Sequence, residues 1–186
     1  MRHINLASFD TLRKVITTAG MPEILSPKYT AATIAFNNNG DTADTITDSA
    51  SQFVVEGFRA GDVINITGST SNNVQVTVAT VAAGTLTLTK SGILTTEVAG
   101  DAVTLDLLHG RKVEDGVAVT IKALSSNTGT ITLGPTSARA LSSNTNYDSN
   151  FSLLQNQSVS LQVKNLKDIW MDATVSGEGV QIAFEK

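Results

Sequence analysis

From Tyr29 onward the apolar residues fall on alternate positions in one short run after another. Ile64 and Ile66 alternate with Asn65 and Thr67, and Val74, Val76 and Val78 with Gln75 and Thr77. Leu86 and Leu88 alternate with Thr85, Thr87 and Thr89, and Val103, Leu105 and Leu107 repeat the pattern. Successive side chains of a strand point to opposite faces, so each run predicts a strand with one apolar and one polar face. Gly68-Ser69, Asn72-Asn73, Ala83-Gly84, Ser91-Gly92 and Gly100-Asp101 supply turns between the runs. Short strands so spaced suggest a small barrel or sandwich.

A second β block follows His109. Val117, Val119, Ile121 and Ala123 share one face, Ile131 and Leu133 another, and Val159, Leu161 and Val163 a third. The last two runs are Ile169, Met171, Ala173 and Val175, then Val180, Ile182 and Phe184. They flank the turn Ser176-Gly177-Glu178-Gly179 and predict a hairpin. Ala138–Asn150 is a polar Ser/Asn stretch and reads as a surface loop.

The first 28 residues keep a different rhythm. Leu6, Phe9, Leu12, Val15 and Ile16 recur at spacings of three and four, which predicts one apolar face of a short helix ended by Gly20 and Pro22. A helix of about three turns is marginal alone, so its stripe must dock, either on a partner or on its own domain. The predicted organisation is a docking arm over 1–28, a first β module over 29–109 and a second, sandwich-type module over 110–186.

Composition narrows the function. Thr, Ser and Asn fill 55 of 186 positions, while charged residues reach only 16% against about 25% in an average soluble protein. This belongs to β proteins with many turns. The expected fold class is all-β: two small β-sandwich or barrel modules with a short N-terminal helical or extended arm. A net charge of −4 disfavours a nucleic-acid partner. No run approaches the roughly 18 apolar residues of a membrane-spanning helix. The absence of cysteine removes disulfides and thiolate chemistry and fits synthesis in a reducing cytosol.

Few residues suggest catalysis. The two histidines are His3 in the arm and His109 at the module junction, and no Gly-x-Ser-x-Gly elbow accompanies them. No phosphate-binding Gly-Lys-Ser/Thr is present, and the Glu of Ser176–Gly179 would repel phosphate. Asp168 and Asp172 lie four apart on one predicted strand, where solvation explains them better than glycosidase chemistry does. Asn37, Asn39 and Asp41 alternate beside Gly40 as a weak calcium candidate; the bidentate Glu of a calcium loop is missing, and such residues also favour plain turns. Phe36, Phe53, Phe58, Phe151 and Phe184 are expected in the core. Trp170 falls opposite Ile169, Met171 and Ala173, so it marks either a subunit interface or a second covered sheet face. The chain is therefore expected to be no enzyme and to need no cofactor.

Two stretches carry a resemblance. Asp44-Thr45-Ile46-Thr47-Asp48 through Phe53, then Phe58-Arg59-Ala60-Gly61-Asp62-Val63-Ile64-Asn65-Ile66-Thr67-Gly68-Ser69 with Asn72-Asn73, resembles a small β-module of virion proteins of tailed bacteriophages. Val119–Leu124, Asn127–Gly134, Leu161–Leu166, Ile169–Ala173 and Gly177–Val180 resemble a β-sandwich module that recurs in phage head and tail proteins. The resemblance implies a homo-oligomeric structural protein of the virion, made in the host cytoplasm. Its expected role is capsid decoration or cement, with the major capsid protein and copies of itself as partners. A tail, neck or sugar-binding host-recognition component is the alternative. Leu6, Phe9 and Leu12 are the expected arm-docking residues, and Trp170 the expected subunit contact.

Overall fold

The structure, a computed structural model, describes residues 9–143 and 151–185, with backbone alone at 9, 10 and 185. Among the described residues the strands are β1 (Phe9–Val15), β2 (Glu23–Ile24), β3 (Lys28–Ala31), β4 (Ile34–Asn37), β5 (Thr45–Asp48), β6 (Val63–Thr67), β7 (Gln75–Ala82) and β8 (Thr85–Leu88). They continue as β9 (Val103–Leu107), β10 (Ala118–Ala123), β11 (Ile131–Gly134), β12 (Phe151–Leu153), β13 (Ser158–Gln162), β14 (Trp170–Ala173) and β15 (Gly179–Glu185). One short helix, α1 (Ser137–Ala140), and a 3-10 turn at Leu166–Asp168 complete them. The fold is all-β, and no described helix is long and apolar enough to cross a membrane. The chain divides into two compact units, one built by residues up to Ser26 together with those from Gly110 onward, the other by Pro27–His109.

In Pro27–His109 one antiparallel sheet runs β3-β9-β6-β7-β8-β5-β4. Its two outermost strands, β3 and β4, are separated in sequence by Ala32 and Thr33 alone, so the sheet curls until its edges approach. A bulge between Val78 and Thr80 bends β7 where it passes from pairing β6 to pairing β8. The alternating residues named above, Ile64, Ile66, Val76, Val78, Leu86, Leu88, Val103 and Leu105, are all buried in one core. Phe53 packs edge-to-face on Tyr29 and Phe58, with centroids 6.2 Å apart in each pair.

The other unit is sandwich-like. Two antiparallel four-stranded sheets, β1-β15-β10-β13 and β12-β11-β14-β2, share one core. Val119 and Ile121 of β10 and Val180, Ile182 and Phe184 of β15 fill it from the first sheet. Ile131 and Leu133 of β11 and Met171 and Ala173 of β14 fill it from the second.

The N-terminal helix expected from the spacing is instead strand β1, paired antiparallel with β15 from Phe9↔Glu185 to Val15↔Gly179. Leu12, Lys14 and Ile16 are buried on its inner side. That period of two is masked in the sequence because one inward position is a lysine. Lys14 Nζ meets Glu23 Oε2 of β2 at 2.9 Å, its side chain 5% exposed. β1 and β2 edge opposite sheets, so the ion pair ties them across one side of the sandwich. Strand pairing and core burial outweigh a three-turn helix that could not stand alone. Leu12 is thus a core residue of its own unit, not an arm-docking contact.

The expected terminal hairpin is also corrected. β14 pairs with β11 and β2, whereas β15 pairs with β1 and β10, so Ser176–Gly179 arches from one sheet to the other. Gly177 N–H donates to Ile16 O at 2.9 Å and Ile16 N–H to Glu178 O at 2.8 Å, seating the arch on the end of β1. Gly179 is required there: a Cβ would land on the Lys14 carbonyl oxygen and 2.9 Å from Val15 Cα. Val175, expected on the apolar face, lies past the end of β14 and is exposed. Phe151, expected in the core, is 52% exposed at the start of edge strand β12.

Candidate interaction surface

The acidic residues are the first place to look for chemistry, and the structure commits their oxygens to the backbone. Asp44 has no exposed surface; its Oδ2 accepts from the N–H of Ile93 and of Leu94 at 2.8 Å each, and its Oδ1 from Asn39 N–H at 3.1 Å. Asp48 accepts from Thr33 Oγ1 at 2.6 Å, Tyr29 Oη at 3.1 Å and the N–H groups of Ala50 and Gln52. Glu97 accepts from Ser69 Oγ, Thr70 and Ser71 N–H and Asn72 Nδ2, drawing the 69–72 turn around itself. Burial raises the carboxyls of Asp44, Asp48 and Glu97, but these donors favour the charged form more strongly, so all three lie below the ordinary carboxylate range. For Asp48 and Glu97 hydroxyl donors lead that effect, for Asp44 the Leu94 amide. A carboxylate so held stays ionised and is a poor general acid or base near neutrality.

The sandwich unit repeats the device. Asp172 is fully buried, not solvated as its polar-face position suggested. Its Oδ1 accepts from Gly20 N–H at 3.0 Å and its Oδ2 from Ser142 N–H at 2.7 Å. Asp168 lies in the 3-10 turn and is exposed, so the two do not share a strand. Glu178 in the arch is buried, and its Oε1 accepts from the N–H and Oγ1 of Thr128 and from Gly129 N–H. Neither carboxylate was legible as a staple, because each partner is distant in sequence.

The remaining expected residues disperse. Asn39 Nδ2 donates to Ala43 O at 2.9 Å, Asn37 Nδ2 lies 3.4 Å from Thr45 Oγ1, and Asp41 is exposed. The two amides thus serve the β4–β5 turn. No group of three or more His, Asp or Glu residues able to hold a metal occurs among the described residues. His109 is exposed; His3 and Leu6 lie outside the described residues, as does the side chain of Phe9.

Trp170 is half-buried on the outer face of its sheet, beside Asp172 and opposite Gly134 and Ile24. α1 covers part of that face: a Cβ on Gly134 would sit 2.7 Å from Ala140 N. The loops held by Asp172 cover more of it. Among the described residues no such cover lies on the outer face of the other sheet. Arg13, Gln181, Lys122 and Ser158 form one row across it, and Thr11, Ala183, Thr120 and Ser160 the next. Thr120 and Ser160 hydroxyls bond at 3.0 Å, so the pleat is lined by side chains that satisfy one another. A shallow cavity of about 300 Å³ beside it is lined by Thr11, Leu12, Arg13, Leu124 and Gln181. Among the described residues, the exposed surface of this unit includes the open face, the half-buried Trp170 and the exposed Met21, Phe151, Leu154 and Val175. Comparison with protein-family models, curated proteins and solved structures finds no match to the chain.

Proposed function

We propose that this chain is a structural protein of a tailed-bacteriophage virion, a homo-oligomeric decoration or cement protein that binds major capsid subunits without covalent chemistry. The observation that carries the reading is how the polar interior is used. Asp44, Asp48, Glu97, Asp172 and Glu178 each fasten a loop through backbone amides. A protein that must hold its outline while its neighbours press on it needs rigid loops. The stretches resembling phage β-modules fall one in each compact unit, which also supports the reading. Weak contacts suffice for such a part, since symmetric copies multiply them by avidity.

The reading assigns no catalytic role and no cofactor. Trp170 and the open sheet face are its contact residues; Leu12 is withdrawn because the core holds it. The test is to mix purified protein with undecorated shells of its phage and image them by electron cryo-microscopy. Regularly spaced density over the capsid lattice is the expected result, weakened in Trp170→Ala. A bare lattice with density confined to one vertex would favour the tail or neck alternative, and no density at all would overturn the virion-shell role.

A further inference from the structure

We infer that the outer face of the β1-β15-β10-β13 sheet docks the acidic unit, residues 27–109, of a second copy of this chain. The first observation is a pair of cations with no ion-pair partner among the described residues. Arg13 and Lys122 stand on the two strands flanking β15, each opposite Gln181, and both are exposed. Two strand spacings separate their backbones by about 10 Å. The two rows named above otherwise hold Thr11, Gln181, Ala183, Thr120, Ser158 and Ser160, with no acid; Glu185 lies further along β15, four positions from Gln181. Neither cation is in an ion pair among the described residues. Like charges placed side by side on a sheet repel, so the arrangement gains from a partner that brings carboxylates.

The second observation names that partner. Residues 27–109 carry eight acids against Lys28, Arg59 and Lys90, a net −5, whereas the rest of the chain carries a net +1. Asp44, Asp48 and Asp62 are buried, but Asp41 is exposed and Glu56, Asp101 and Asp106 are partly so. The chain thus holds opposite charges on separate units, and each copy presents the complement of what another needs. The cavity beside Arg13 offers room for a side chain of the incoming unit. The contact is heterologous, one unit against the other, so it generates rings or open chains of copies instead of a closed two-fold dimer.

This inference rests on the homo-oligomer part of the proposed function alone. The test is sedimentation velocity on the full chain at about 20 mM and about 500 mM salt, between which the screening length falls from roughly 20 Å to roughly 4 Å. Self-association at low salt that weakens at least about tenfold at high salt is expected, since the attraction is between exposed charges. Arg13→Glu/Lys122→Glu should abolish it while keeping the wild-type unfolding midpoint, both positions being exposed. In a mixture of isotope-labelled and unlabelled chains, a carbodiimide should join Lys122 of one copy to a carboxylate of residues 27–109 of another. A monomer at both salts, association indifferent to salt or to the double reversal, or inter-copy links from Lys122 confined to residues 110–186 would each overturn the inference. A chain monomeric at low salt that still decorates shells would refute this contact and leave the decoration reading standing. Salt-sensitive association without shell binding would do the reverse.

Discussion

Asp44→Ala is the sharpest probe of the carboxylate staples. The side chain is covered yet shallow, and its two oxygens accept three backbone N–H groups: Ile93 and Leu94 at 2.8 Å and Asn39 at 3.1 Å. Alanine strands all three. The Leu94 amide is buried and cannot reach water, which costs about 1–3 kcal/mol. Ile93 is half-buried and Asn39 exposed, so their amides recover water and lose roughly 0.5 kcal/mol each. The expected loss is about 2–4 kcal/mol. Asp44→Asn should lose only about 1–2 kcal/mol, because an amide oxygen at the Oδ2 position still accepts from Ile93 and Leu94 while its NH2 meets the Asn39 donor. The assay is urea unfolding of the full chain followed by far-ultraviolet dichroism, with hydrogen exchange read over residues 90–96. Exchange there should speed up most in the alanine variant. Equal midpoints for wild type and Asp44→Ala, or equal losses for Ala and Asn, would refute the claim that backbone capture is what the carboxylate does.

The same carboxylates set an acid limit. Asp44, Asp48 and Glu97 are depressed below the ordinary values of 3.8, 3.8 and 4.5, so their contribution is complete above those values and is lost as pH falls through the lower folded ones. Residues 27–109 should therefore lose stability progressively below about pH 4, and Asp44→Ala should flatten that slope in a pH series of urea midpoints. Gly179→Ala should cost at least about 2 kcal/mol, because its Cβ meets main-chain atoms of β1 that no rotamer change can move. Trp170, the single tryptophan, reports that loss by fluorescence. Glu178→Gln should cost less than about 1 kcal/mol at neutral pH, since among the described residues Oε1 makes the bonds and Oε2 has no partner; Glu178→Ala should lose about 2–3 kcal/mol. Similar midpoints for the two Glu178 variants would count against the arch depending on that oxygen.

The alternation of apolar residues was enough to place β6 to β11 and β13 to β15 and to choose the inward face of most of them. Side-chain direction has a period of two whatever the neighbour, so Ile64, Leu86, Leu105, Ile121 and Ile182 are buried as the pattern requires. Alternation is silent about the partner, and that only the tertiary structure decided. Met171 and Val180 point into one core from opposite sheets, so the segment between β14 and β15 had to cross the sandwich instead of folding back as a hairpin. At β1 the period was hidden by Lys14, an inward charge made tolerable by Glu23 nine residues later on the facing edge. The staples share that origin: Asp44 with Leu94 and Asp172 with Ser142 are pairs made by packing, and no local rule links residues so far apart. The charge division between residues 27–109 and the rest is written in the sequence. The side-by-side placement of Arg13 and Lys122 across Gln181 depends on strands 109 positions apart meeting the same third strand, and only the folded sheet brings them there.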